Sequence, residues 1–181
     1  MSRLQTIAPE SVEGKTKEML DAVEKKLGMT PNLMRTMANS PAVLEGYLAL
    51  SGALGHGKLP AKIRERISLF VAESNGCDYC LAAHSALGKM SGLTGDQIAD
   101  SRRGESDDAK TGSLLRFARR IMETRGKVSD AEVKAIRDAG YDDGAIAEIV
   151  AGVALNIFTN YFNNVAETEV DFPAAAALQV A

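Results

Sequence analysis

Apolar positions along the chain recur at intervals of three and four with charges between them, and no stretch alternates long enough to demand a strand. From Pro9 to Leu27, the set Val12, Met19, Leu20, Val23 and Leu27 predicts an exposed amphipathic helix closed by Gly28. Thr30-Pro31 offers a cap and a first-turn proline for a short helix through Leu33, Met34 and Met37. Ser40-Pro41 repeats that signal, and Val43, Leu44, Tyr47, Leu48, Leu50 and Leu54 carry a helix to about Gly55. Past the Gly55-His56-Gly57 loop, Leu59-Pro60 opens a helix running to about Ser74. Another helix continues from Cys77 to about Met90. Thr94-Gly-Asp-Gln97 and Ser129-Asp-Ala-Glu132 have the form of capping boxes, each opening a short helix. Ser101 to Ser106 is polar and predicts a surface loop, and a helix from Asp107 to Arg125 follows it. A long final helix starts near Asp142 or Asp143 and carries Ile146, Ile149, Val150, Val153, Ile157, Tyr161 and Val165.

Two of these helices depart from the simple amphipathic pattern. In the one before Ser74, Ile63, Ile67, Phe70 and Val71 form one apolar face, and Glu65, Leu69 and Ala72 form a second stripe. A helix apolar on two faces is buried, and a carboxylate buried with it needs a partner, so Glu65 becomes a candidate site residue. The last helix has no charge between Glu148 and Glu167, yet Asn156, Asn160, Asn163 and Asn164 interrupt its apolar run. Four amides and Gly152 argue against a lipid-spanning segment. Such a stretch is expected where both sides are covered, by the core and by another subunit, with the asparagines bonding across the contact. The tail from Asp171 carries weak signals and is expected to be mobile.

The chain has 181 residues and a net charge of −3 with both signs interspersed, which gives no footprint for nucleic acid and no polybasic membrane patch. The first ten residues lack the apolar region of a signal peptide, so a cytoplasmic protein is expected. Tryptophan is absent and aromatics are few, which suits a helical core. The length allows one all-α domain over residues 1–181, with a core motif at about 37–103 and a C-terminal helical half at about 107–170.

The chemistry gathers in Cys77-Asp-Tyr-Cys80-Leu-Ala-Ala-His84, which contains both of the chain's cysteines. On a helix, residues three and four apart share a face, so Cys77, Cys80 and His84 form one stripe. Asn75-Gly76 marks a break before a new helix near Cys77, which puts the pair in a first turn, where unpaired N–H groups favour thiolate over thiol. With no other cysteines there is no disulfide framework, and a close pair in a reducing compartment points to redox chemistry or metal. Two buried core cysteines would not need the histidine beside them. A closed zinc site would need a fourth ligand, and the only other histidine, His56, sits between loop glycines, so no metal or cofactor is expected. Glu73, four residues before Cys77, is a rival to Glu65, but the break should turn it elsewhere. Which cysteine attacks is open on these grounds: the first-turn position favours Cys77, and the histidine at i+4 favours Cys80.

Glu65 followed by Cys77-x-x-Cys80-x-x-x-His84 resembles the motif of the alkylhydroperoxidase D (AhpD)-like branch of the carboxymuconolactone decarboxylase-like superfamily. Pro31-Asn32-Leu33-Met34 and Asn160-Tyr-Phe-Asn163-Asn164 are similar to a branch described as peroxidase-related. The resemblance implies an AhpD-like all-α fold of about seven to eight helices, obligate homo-oligomers (trimers or hexamers) and thiol-dependent reduction of hydroperoxides. An external dithiol, in the best-understood members a lipoylated protein, returns the electrons. It also implies Cys80 as the peroxidatic cysteine that becomes a sulfenic acid, Cys77 as the resolving cysteine and proton donor, His84 as the base, and Glu65 as the relay that orients His84. One position departs: Tyr79 stands where those members have a second histidine. Two other readings keep the fold. One is a disulfide-exchange or redox-sensing module acting on a protein partner. The other is a decarboxylase-like lyase using His84 and Glu65, which the cysteine pair disfavours.

Overall fold

The computed structural model describes residues 2–178. Among them are nine α-helices, a 3-10 turn at Pro9–Ser11 and no strand. The helices are α1 (Gly14–Leu27), α2 (Asn32–Met37), α3 (Pro41–Gly55), α4 (Ala61–Ser74), α5 (Asp78–Met90), α6 (Gly95–Arg103), α7 (Ala109–Thr124), α8 (Asp130–Asp138) and α9 (Asp143–Ala166). The all-α expectation holds, and the nine helices are those that the apolar spacing and cap signals mark out one by one, against the seven to eight implied by the family resemblance. Both capping boxes form in full: Thr94 with Gln97 opens α6, and Ser129 with Glu132 opens α8. The first predicted helix starts later than its apolar pattern suggested, because the chain is extended at Val12 and Glu13 and turns into α1 at Gly14.

Helix α4 is the centre of the fold, and it packs against α5, α6, α7 and α9. Every residue from Arg66 to Ala72 is buried. Ile67, Phe70 and Val71 join Leu114, Leu115, Ile149 and Val153 in one core, and Ala72 joins Leu20, Met37, Leu44 and both cysteines in a second. Leu69 packs with Leu93 and Ile98 in a third. Full burial of each such aliphatic side chain contributes roughly 1.5–3 kcal/mol, so α4 holds the three cores together.

The asparagines of α9 are used within the chain, which corrects the expectation that they bond across a subunit contact. Asn156, Asn160 and Asn163 are buried against the rest of the protein. Val150, Phe158, Tyr161 and Val165 form the exposed stripe of the same helix. The tail is also more anchored than expected. Asp171 accepts a hydrogen bond from the Asn32 N–H at 2.7 Å, Phe172 packs edge-on against Tyr79, and Arg102 donates to the carbonyl of Ala176. The rest of the expected mobile tail, residues 179–181, lies outside the described residues.

Candidate active site

The break between α4 and α5 places the cysteines. Gly76, at φ +58°, takes the left-handed conformation that ends a helix, and the Cys77 N–H reaches back to the carbonyl of Ala72 while the Gly76 N–H reaches that of Glu73. Cys77 is then the N-cap of α5, and its Sγ accepts a hydrogen bond from the Cys80 N–H at 3.2 Å. A sulfur therefore fills the capping role that an oxygen usually plays. The Cα atoms of Cys77 and Cys80 lie 5.3 Å apart and the two sulfurs are joined as a disulfide. Both residues are buried, at 0% and 3% exposure.

His84 follows Cys80 by one turn of α5. Its Nδ1 lies 2.8 Å from Oε2 of Glu65 on α4, with the two side chains 21% and 17% exposed. A carboxylate at Nδ1 accepts that nitrogen's proton in a hydrogen bond, which leaves Nε2 as the basic nitrogen of a neutral ring. The second stripe on α4 thus carries Glu65 to His84, while the rival Glu73 is taken up at 2.7 Å by Nε of Arg102. His56 ends α3 in an exposed position.

Two cavities meet at His84. One, of about 260 Å³, is lined mostly by apolar side chains, among them Met34, Leu87 and Phe172, together with Cys80, Tyr79 and His84. The other, of about 110 Å³, is more polar and is lined by Glu65, Ser51 and Asn156 as well as His84. Tyr47 and Thr159 border both. A larger hollow, of about 650 Å³, involves Arg120 and Glu132, which pair with each other, and it contains no cysteine or histidine. No group of three His, Cys, Asp or Glu side chains among the described residues is arranged to hold a metal ion.

Tyr79 does not stand in for a second histidine. Its hydroxyl accepts a hydrogen bond from the Leu33 N–H at 3.1 Å, and its ring meets Phe172 edge-on at 5.9 Å. Burial pushes its phenol well above the usual range, the Leu33 N–H opposes that rise, and Asp171 adds to it. Tyr79 therefore stays neutral and ties α5 to the first turn of α2 and to the tail. Tyr47 is also raised, first by burial, against a hydrogen bond with Ser51 and with a further push from the charge of Glu65.

The sequence pattern missed one contact to the cysteine sulfurs. Asn163 on α9 donates from Nδ2 to Sγ of Cys80 at 3.2 Å. A signal for it was available, because Asn156, Asn160 and Asn163 fall on one helix face at spacings of four and three. What that face meets lies 83 positions away in sequence.

Residues 41–124 match the Carboxymuconolactone decarboxylase family. No curated protein matches the chain in sequence. Among solved structures, the chain is similar to the alkylhydroperoxidase AhpD core of an uncharacterized peroxidase-related protein from Ralstonia eutropha JMP134. The TM-score is 0.85 at 24% identity, over 94% of this chain and 92% of that one. A peroxidase-related protein from Silicibacter sp. TM1040 aligns at TM-score 0.77 and 24% identity, over 93% and 94% of the two chains. The debrominase Bmp8, solved in complex with 2,3,4-tribromopyrrole, aligns at TM-score 0.78 and 18% identity, over 94% of each chain. The fold is AhpD-like, and the matched segment holds Glu65, Cys77, Cys80 and His84.

Proposed function

From an AhpD-like fold whose residues 41–124 match the carboxymuconolactone decarboxylase family, we propose a thiol-dependent hydroperoxide reductase. The observation that carries this reading is the shared apolar cavity: Cys80 and His84 both line it, and Glu65 holds the far side of the imidazole. In the reduced protein, His84 takes the Cys80 thiol proton. The thiolate attacks the terminal oxygen of the hydroperoxide and the O–O bond breaks. His84 then returns the proton to the departing alkoxide, so an alcohol leaves and Cys80 becomes a sulfenic acid. Cys77 attacks that sulfur, its thiol proton leaves with the hydroxyl as water, and the disulfide is formed. An external dithiol restores the pair by exchange, so two electrons pass from dithiol to peroxide in each cycle.

Burial of both sulfurs supports a small or armed reductant, such as the lipoyl group of a lipoylated protein, over direct exchange with a folded partner's surface disulfide. The same burial weighs against the redox-sensing alternative. The exposed apolar stripe of α9 suits a homo-oligomer, a trimer or hexamer, in which a second copy covers it. A cycling dithiol suits the reducing cytoplasm.

A second reading is favoured by the apolar lining of the cavity and by the likeness to a debrominase: the substrate would be a halogenated aromatic and the same cysteine pair would supply the electrons. Turnover with dihydrolipoamide separates these readings. Consumption of dithiol with cumene hydroperoxide, abolished in a Cys77→Ser, Cys80→Ser double variant, supports the peroxide reading. Consumption only with tribromopyrrole, with bromide released, favours the second. Full activity of the double variant on a cyclic acid would favour a lyase instead.

A further inference from the structure

One contact on the attacking sulfur has no part in the steps above. Among the described residues, Asn163 is the only side chain whose amide or hydroxyl is hydrogen-bonded to Sγ of Cys80, at 3.2 Å from Nδ2. Asn163 is 3% exposed, and its Oδ1 is buried with no hydrogen-bond partner among the described residues. A leucine would fill the same space without leaving a buried acceptor unpaired, a cost that native cores generally avoid. The stretch of α9 that carries the amide is held in place on both sides of it. One turn earlier, Asn160 Oδ1 accepts from Asn75 Nδ2 at 2.9 Å, and one residue later Asn164 Nδ2 donates to the Asn75 carbonyl at 3.1 Å. Both of those bonds fall on the break that sets the position of Cys77, so α9 is registered against the cysteine pair itself.

We propose that Asn163 is a catalytic residue: its Nδ2–H stabilises the Cys80 thiolate, and its free Oδ1 accepts the O–H of the sulfenic acid that follows. The inference rests on Cys80 being the attacking cysteine. A disulfide sulfur is a weak acceptor and a thiolate a strong one, so the contact gains strength when the pair is reduced. Asn163 makes and breaks no covalent bond; it favours the charged form before attack and gives the sulfenic proton a partner afterwards. The titratable groups around Cys80 are Cys77, which the test below replaces with serine, His84 and Tyr79 on its own helix and Tyr47 from α3, with Glu65 of α4 behind His84.

The test is a titration of the Cys80 thiol by iodoacetamide alkylation in a Cys77→Ser chain, with no peroxide present. Asn163→Leu is expected to raise the thiol pKa by about one unit or more, as loss of a hydrogen bond to a charged group implies. Asn163→Asp, of nearly the same size, should raise it further by placing a carboxylate at the sulfur. The peroxide rate at neutral pH should fall about tenfold in step with the lost thiolate. In the chain with Asn163 intact, its side-chain amide NMR resonance should move with the Cys80 titration. This last measurement decides the matter even where a variant fails to fold. An Asn163 resonance that stays flat through the titration, or a thiol pKa unchanged in the folded variants, overturns the proposal. Failure of Cys80 to form a sulfenate would instead overturn the peroxidase reading and leave the thiol titration to judge Asn163 alone.

Discussion

Glu65 Oε2 lies 2.8 Å from Nδ1 of His84, across the packed faces of α4 and α5. The two residues come from different helices and are both largely buried, so neither ring nor carboxylate can turn away without leaving a polar group unpaired. This contact fixes which histidine nitrogen is free to exchange protons with the cavity that Cys80 lines.

Glu65→Gln keeps the shape and removes the charge that enforces the tautomer. The second-order rate of oxidation by hydroperoxide should fall about 10- to 100-fold, up to the lower end of positioned acid–base assistance, because Glu65 acts through His84. Stopped-flow kinetics on the folded variant give the number, and an unchanged rate would remove Glu65 from the relay.

Tyr79→Phe should do the reverse, sparing the rate and lowering stability. Its hydroxyl is the acceptor for the buried Leu33 N–H, so its loss should cost about 1–2 kcal/mol. Urea denaturation reads that loss, and the peroxide rate should stay within about twofold of wild type because no proton passes through a phenol held neutral. A collapse in rate would place Tyr79 among the reacting groups.

What could be read from the sequence was what depends on neighbours along the chain. The capping boxes at Thr94 and Ser129 each close within three residues, and the break at Gly76 follows from one glycine and the turn around it. Glu65 was legible for a related reason: helical spacing set it beside Leu69 and Ala72 on a buried stripe, and burial demanded a partner. Contacts made at long range were not legible. Tyr79 to Leu33 spans 46 positions and Asn163 to Cys80 spans 83, and although the spacing of the α9 asparagines marks a shared face, nothing local says what either contact meets. The uncharged face of α9 announced that its asparagines were covered, but the pattern of one helix does not say by what, and the cover proved to be α5 and the α4–α5 break rather than a second subunit.

The apolar cavity beside Cys80 predicts selectivity for substrate size. Ala86 lines it and is partly buried, so Ala86→Phe would fill part of its volume of about 260 Å³. The kcat/KM for cumene hydroperoxide should drop about tenfold or more, the scale of one or two methylenes in an apolar pocket, while hydrogen peroxide stays within about twofold. An equal drop for both substrates would mean that the peroxide reaches the sulfur by another route.

Glu132 predicts one source of acid sensitivity at the start of α8. Hydrogen bonds from the Ser129 N–H first, then from Arg120 and the Ser129 hydroxyl, hold its carboxyl down at about 2 against an ordinary value of 4.5. The folded form thus gives up this proton more readily than the unfolded form. The stabilisation is fully present above pH 4.5 and is lost as pH falls towards about 2. Glu132→Gln should flatten the fall of the melting temperature across that window, with little change in its pH dependence at neutral pH. Parallel curves for wild type and variant below pH 4.5 would contradict this assignment.

Whether Cys80 is a peroxidatic thiol served by His84 is decided by stopped-flow oxidation of the reduced protein by hydrogen peroxide and cumene hydroperoxide, with a sulfenic-acid trap. Wild type should lose two thiols rapidly. Cys77→Ser should accumulate a trapped sulfenate on Cys80 at a similar rate, and Cys80→Ser should react no faster than a free small-molecule thiol. Slow oxidation of the wild type, or a sulfenate that forms on Cys77 instead, would rule out Cys80 as the peroxidatic thiol.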